Sequence, residues 1–280
     1  MRKITFVVSL IMLCGLIHAS DINLNASAEG MGGASMTGTG GIYATGGNSA
    51  GLGFAGSAAL MMTYSRELLG MNKTEISGIV PLPAGVMELA VGYGGFGDIS
   101  NPGAEDSAFS AYDLMAGVGY GIKLTEVISV GAGVYVKNSN IAGDSSYNVR
   151  LDASAMYSEN GLSASIAVKD IITSAVTAAG IGKLFVINYE NEVKGEVAAG
   201  LGGEEEMYAC IGAEYVWNKL AAVRCGYRVE KDSVNSLSAG AGIRFSAAGL
   251  KMELDYALSP KAFFENDTEW SHKVSFGIQF

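Results

Sequence analysis

A two-residue alternation, sustained to the last residue, is the feature that most limits what this chain can fold into. In the terminal stretch Trp270, His272, Val274, Phe276, Ile278 and Phe280 share one face, and Ser271, Lys273, Ser275, Gly277 and Gln279 share the other. Only an extended strand separates alternate residues in this way; on a helix the apolar set would be smeared around the axis. A final strand with one oily and one polar face suits two architectures. One is the last strand of a soluble sandwich. The other is the closing strand of a membrane barrel, where lipid and lumen impose the pattern on every strand. The rest of the chain has to separate them.

The N-terminus sets the compartment. Arg2 and Lys3 precede the apolar run Ile4 to Ile17, and Ile17-His18-Ala19 ends on a small residue. This is the pattern of a secretory signal peptide, residues 1–19. Cys14 raises a lipoprotein alternative, against which stands the bulky Leu13 before it. The chain carries a formal net charge of −10, more negative once Arg2 and Lys3 are removed, which argues against nucleic acid as a partner. No later run of about eighteen apolar residues could span a bilayer as a helix. Apolar residues make up 49% of the chain but lie dispersed at alternate positions, as a barrel wall requires. Cys210 shares parity with Glu214, assigned to the lumen, whereas Cys225 shares parity with Val223 and Tyr227, assigned to lipid. Opposite faces cannot be bridged, so both are expected as free thiols.

Ser20 to Gly56 differs from everything that follows. It is rich in Gly, Ala and Ser, nearly uncharged, and shows no sustained alternation, yet Met31, Met36, Ile42, Tyr43, Leu52 and Phe54 call for burial. Gly30-Met31-Gly32-Gly33 is no phosphate-binding loop, because no strand precedes it and no P-loop lysine follows. From residue 57 to 280 the chain breaks into alternating segments, roughly fourteen of them, or twelve if the Lys183–Leu201 pair is discounted. Expected strands include Lys183–Glu190, with turns at one end short and connections at the other end long: Asn138–Ser146 and Asp170–Gly182 are among the long ones. All four prolines are expected in connections or at a strand's end. Regular alternation of short and long connections favours the barrel over the sandwich. The expected organisation is a signal peptide (1–19), an N-terminal hatch inside the lumen (20–56) and an all-β transmembrane antiparallel barrel (57–280).

Face assignment then identifies candidate functional residues. Inward charges are Asp113, Arg150, Asp152, Glu214, Arg224, Arg228, Arg244, Asp255 and Lys273, with Glu253 beside them. Expected pairs are Glu214 with Arg224, and Glu253 and Asp255 with Lys273. Such charges either tie wall and plug together or form a constriction that selects solutes. Inward glycines leave space that water, a ligand or a plug must fill. Ile171, Ile172 and Val176 belong to a greasy stretch, read as an apolar outer loop or as a short helix packed on the rim. Phe276, Ile278 and Phe280 form a C-terminal insertion signal for the barrel-assembly machinery and outer-membrane lipid.

Several motifs carry a resemblance. Gly30-Met31-Gly32-Gly33-Ala34, followed by Asn48-Ser49-Ala50-Gly51-Leu52, resembles the N-terminal signature of the PorV/PorQ group of outer-membrane proteins. That group is related in fold to the FadL long-chain fatty-acid transporters. Leu151-Asp152 with Tyr157 and Gly161-Leu162 resembles its mid-barrel hairpin. Gly212-Ala213-Glu214-Tyr215 with Val223-Arg224-Cys225-Gly226-Tyr227-Arg228 resembles its most recognisable one, and Leu254-Asp255-Tyr256-Ala257 with the closing strand resembles its C-terminus. The chain departs from the group at Asn48-Ser49, where Asn-Pro is usual, and at Asp170, where Asn commonly follows the hairpin. The resemblance implies a fourteen-stranded outer-membrane barrel with an internal hatch. Members pass hydrophobic compounds or serve type IX secretion as a cargo shuttle, so a hydrophobic ligand or secretion-system components are the implied partners.

Other function classes fare worse. Outer-membrane hydrolases work through histidine dyads or triads, and beyond the signal peptide the chain has only His272, on the lipid face. One histidine and two separated cysteines make no metal site, and no cofactor is expected. A structural barrel would need neither hatch nor lumen space, and a general porin would need more strands.

Overall fold

The computed structural model describes residues 25–39, 48–67, 70–100, 108–173, 175–202, 207–231, 235–264 and 267–280. The signal-peptide assignment and the hatch residues Ile42 and Tyr43 lie outside these. Fourteen antiparallel strands form a closed barrel. They are β1 (Ala59–Arg66), β2 (Asn72–Leu82), β3 (Gly85–Ser100), β4 (Ala108–Lys123), β5 (Ile128–Ile141), β6 (Asp144–Glu159), β7 (Leu162–Lys169), β8 (Val176–Val186), β9 (Glu192–Leu201), β10 (Met207–Trp217), β11 (Ala221–Glu230), β12 (Ser236–Ala247), β13 (Leu250–Phe264) and β14 (Asp267–Gln279). Each pairs with its sequence neighbours, and β14 closes on β1 from Ala59↔Gln279 to Arg66↔His272. Closure leaves no free edge, the condition for a sheet to cross lipid.

Alternation decides which way each side chain points. Along β10, Cys210, Gly212, Glu214 and Val216 are buried, while Ala209, Ile211, Ala213, Tyr215 and Trp217 are exposed. Outside, the wall presents Val91, Ile166, Ile181, Val197, Ile211 and Val223, each more than half exposed. Inside, serines 65, 77, 129, 165, 238, 259, 271 and 275 are buried with the charges. A soluble protein would reverse this arrangement; a lipid-facing one requires it. Cys210 is buried and Cys225 exposed, both as free thiols.

Tight turns fix the registers. Asn160-Gly161, Asn218-Lys219 and Ala248-Gly249 each place two successive residues at positive φ, the two-residue geometry whose twist matches the flanking strands.

Several sequence expectations are corrected. The Lys183–Glu190 strand is instead β8, Val176–Val186, so Val176 belongs to the wall. Its inward residues Val176, Ala178, Gly180 and Gly182 are buried, and being small or apolar they give little contrast with outward Thr177, Ala179 and Ile181. The stretch therefore reads as a loop. Asn138–Ser146 is no long connection either: Ala142-Gly143 turns tightly between β5 and β6. Toward that turn polar residues occupy both strand faces, as at Ser139 opposite Ser146 and Asn140 opposite Ser145, and alternation fades where the strands continue. Pro260 lies inside β13, opposite Trp270. The β12 ladder stops at Leu258, so there the proline's missing N–H costs no bond to β12.

Candidate functional site

The N-terminal segment packs inside the barrel as two short helices, α1 (Ala26–Gly30) and α2 (Ser49–Leu52). Asparagines start both. Asn25 Oδ1 accepts from Ala28 N at 2.9 Å, and Asn48 Oδ1 from Ala50 N at 3.0 Å, satisfying amides that a helix start leaves unpaired. Between them Gly32 and Gly33 turn the chain at φ +71° and +84°, a conformation favourable only to glycine. α1 packs against β11–β14 and α2 against β3–β6.

Wall side chains complete the backbone bonding of this segment. Ala26 N donates to Ser275 Oγ at 2.7 Å and Thr37 N to Glu196 Oε1 at 2.8 Å. Ser129 Oγ donates to the Ala50 carbonyl, and Ser165 Oγ to that of Met36, both at 2.7 Å. Asn48 Nδ2 reaches the same Met36 carbonyl at 3.0 Å, joining the two halves of the segment. Glu29 is held hardest: Ser259 donates to one oxygen at 2.5 Å, and Lys273 Nζ lies 3.2 Å from the other. A buried carboxylate is stable only when paired like this.

The inward glycines of the wall are the footprint of the segment. A Cβ on Gly121 would lie 2.6 Å from Gly53 N, and one on Gly131 would overlap the Ser49–Ala50 peptide. A Cβ on Gly212 would lie 2.7 Å from the Met31 Cβ, and one on Gly226 would overlap the Met31–Gly32 backbone. Gly240 faces the Gly30 Cα, and Gly180 faces Met36. Apolar contacts complete the seat: Leu52 and Ala55 pack with Ala59, Met61, Ile79 and Val86, while Met31, Ala34 and Met36 pack with Ala167, Ala178, Ala198 and Cys210. Of the hatch-motif residues, Gly30, Met31, Gly32, Asn48, Ala50, Gly51 and Leu52 are buried, and Gly33 is half-buried.

The lumen charges fall into pairs and one larger cluster. Lys137 Nζ lies 3.0 Å from Asp113, and Arg150 lies 2.9 Å from Asp152 with its guanidinium 4.5 Å above the Tyr135 ring. Arg228 reaches Glu230 at 2.8 Å and stacks on Tyr208. The cluster centres on Arg224, whose side chain is fully buried. Its three nitrogens reach Glu214 at 2.5 Å, Asp255 at 2.5 Å and Glu253 at 3.1 Å. Arg244 bridges Glu214 and Glu253 at 3.2 Å each. The expected Glu214–Arg224 pair is present. The expected pairing of Lys273 with Glu253 and Asp255 is not, because Lys273 sits opposite Ala257 and turns to Glu29. Glu29 was legible as an isolated acid in an almost uncharged segment.

A polar cavity remains above α2, lined by Asn48, Ser49, Glu88, Tyr135, Asp152, Ser154, Ala167 and Lys169, with room for about one water molecule. On the outer side Ile171 and Ile172 are exposed in the β7–β8 connection, and the turn there replaces the rim helix read as an alternative. Phe276 and Phe280 project outward and exposed from the closing strand, with Ile278 on the same face.

The fold and its interior define a transmembrane β-barrel with its N-terminal segment packed in the lumen. Neither a family profile nor a curated protein matches the sequence. Solved structures do match. The toluene transporter TodX of Pseudomonas putida aligns at 12% identity over 92% of this chain and 97% of its own, with a TM-score of 0.60. The monoaromatic hydrocarbon channel CymD aligns at 12% over 92% and 96%, with a TM-score of 0.62. A FadL homologue of Pseudomonas aeruginosa aligns at 11% over 92% and 99%, with a TM-score of 0.59. At such identities the likeness establishes a shared FadL-like fold.

Proposed function

We propose that the chain is an outer-membrane barrel that admits hydrophobic small molecules past an internal plug. The observation that carries this reading is the seating of Gly30, Met31, Gly32, Met36, Thr37, Ser49, Ala50, Leu52 and Gly53 on the wall, most of them against its glycines, and among the described residues the cavity above α2 has room for about one water. A lumen that holds this segment suits gated passage rather than an open aqueous pore, and passage needs the segment to shift. The hydrocarbon transporters and channels of the same fold support the choice of substrate class. On this reading the residues that resemble the PorV/PorQ signature are the plug's fixed points. Residues 1–19 export the chain, and Phe276, Ile278 and Phe280 present it for assembly.

Proteoliposome uptake tests the substrate class. Purified protein should raise entry of a long-chain fatty acid or a monoaromatic hydrocarbon above that of protein-free vesicles and leave sugar entry unchanged. Faster sugar entry with no gain for either apolar probe would sink the reading. Deleting Ala26 to Gly53 while keeping the signal peptide should give an inserted barrel that conducts ions continuously in planar bilayers. A deletion variant as closed as the parent would remove the plug from the mechanism.

A further inference from the structure

At the seam where β14 closes on β1, the outward face stops being apolar. Arg66 and His272 are direct cross-strand partners, and both are exposed. Among the described residues none forms an ion pair with Arg66. His272 Nδ1 is joined to Tyr256 Oη at 2.7 Å, which leaves the ring's other nitrogen open. Tyr64, two residues below Arg66 on the same face, donates to Asn72 Oδ1 at 2.7 Å. Trp270, two residues beyond His272, is 59% exposed. A basic pair flanked by tyrosines and a tryptophan thus stands on the lipid-facing wall.

Its depth says what it meets. Eight residues separate Phe280 from His272 along the chain; at about 3.3 Å rise per residue and about 40° tilt, that is about 20 Å of height. The outward apolar band of such a barrel is about 25 Å tall. Arg66 and His272 therefore lie just inside its upper edge, with Trp270 at girdle level. An arginine there lays its stem along the apolar surface and lifts the guanidinium to the headgroups. Among the described residues no carboxylate pairs with it, so an anionic group of the membrane can supply its counter-charge. Guanidinium and imidazole donors side by side suit a phosphate, and the aromatic rings suit the sugar and upper acyl region beneath it.

We propose that Arg66 and His272, flanked by Tyr64, Tyr256 and Trp270, seat a phosphate group of an outer-leaflet glycolipid. The site rests on the outer-membrane reading but not on transport or on the plug. Arg66 belongs to the first strand and His272 to the last, so one bound phosphate bridges the two ends of the chain across the seam.

Native mass spectrometry of delipidated protein in detergent tests the seat, with three probes: bis-phosphorylated lipid A, the same lipid without phosphates, and inorganic phosphate. The parent should bind the phosphorylated lipid about tenfold or more tightly than the Arg66→Gln variant, with Arg66→Lys between them. The dephosphorylated lipid should not distinguish parent from variant, and inorganic phosphate should not compete at equal concentration. Equal retention of lipid A by parent and Arg66→Gln would overturn the proposal, as would a preference that survives removal of the phosphates. Effective competition by inorganic phosphate would overturn the lipid as the source. Heat-modifiable migration, run in parallel, reads barrel assembly separately: an unfolded parent would count against the membrane reading itself.

Discussion

Replacing Gly226 by valine should unseat the N-terminal segment while leaving the wall standing. Gly226 points inward from β11, and a Cβ there overlaps the backbone of Met31 and Gly32. Backbone cannot swing aside as a side-chain tip can, so the turn must retreat by about 1.5 Å to restore van der Waals distance. The bonds that anchor α1 lie nearby: Ala26 N to Ser275 Oγ at 2.7 Å, and Glu29 to Ser259 and Lys273 at 2.5 and 3.2 Å. A shift of that size stretches them beyond bonding distance. Overpacking of this kind costs about 1–3 kcal/mol. Charged to the seated state alone, that raises the unseated fraction about 5- to 150-fold. The strand itself should accept valine, a good strand former. Gly195→Val is the control, because a Cβ there meets nothing within 4 Å. Single-channel recording should show longer or more frequent openings for Gly226→Val and none beyond the parent's for Gly195→Val. If both variants gate like the parent while migrating as folded barrels, the footprint argument is wrong.

Other consequences are open to measurement. Arg224→Met strands three carboxylates beside Arg244 alone, so it should destabilise by about 3–5 kcal/mol in urea unfolding. Glu214→Gln, which leaves Arg224 two acidic partners, should cost less. Combining the two should lose less than their sum, and strict additivity would mean that the side chains do not act on each other. Phe276→Lys with Ile278→Lys places two charges on the lipid face of β14, at about 2–4 kcal/mol for Phe276 near the midplane and less for Ile278 nearer the edge. The heat-modifiable band should vanish, and its persistence would reverse the face assignment.

Alternation made the wall legible, because lipid and lumen demand opposite side chains at successive positions. Strand β10 shows this residue by residue, from inward Cys210 to outward Trp217. The pattern failed where that contrast is absent. β8 carries small apolar residues inside, since it faces Met36 and Thr37 of the segment rather than water. Toward their connecting turn, β5 and β6 continue with two polar faces and look like loops. The seat of the N-terminal segment was visible only in outline. Its glycines and methionines announced burial, but pairing Glu29 with Lys273 and Ser259 requires a long-range geometry that no local pattern encodes.

The Arg224 cluster also bears on how the wall finds its alignment. A one-residue slip would expose Glu214 to lipid, so the hydrophobic pattern alone forbids it. A two-residue slip keeps every face correct, and the pattern cannot detect it. In that slipped ladder Arg224 would face Gly212 or Val216 instead of its partner Glu214. Asp255 and Glu253, two strands away, would then share Arg224 only if β12 and β13 had slipped in step. The cluster therefore acts as a vernier: its charges all find partners only when β10 to β13 are in one alignment, a discrimination that lipid solvation cannot supply.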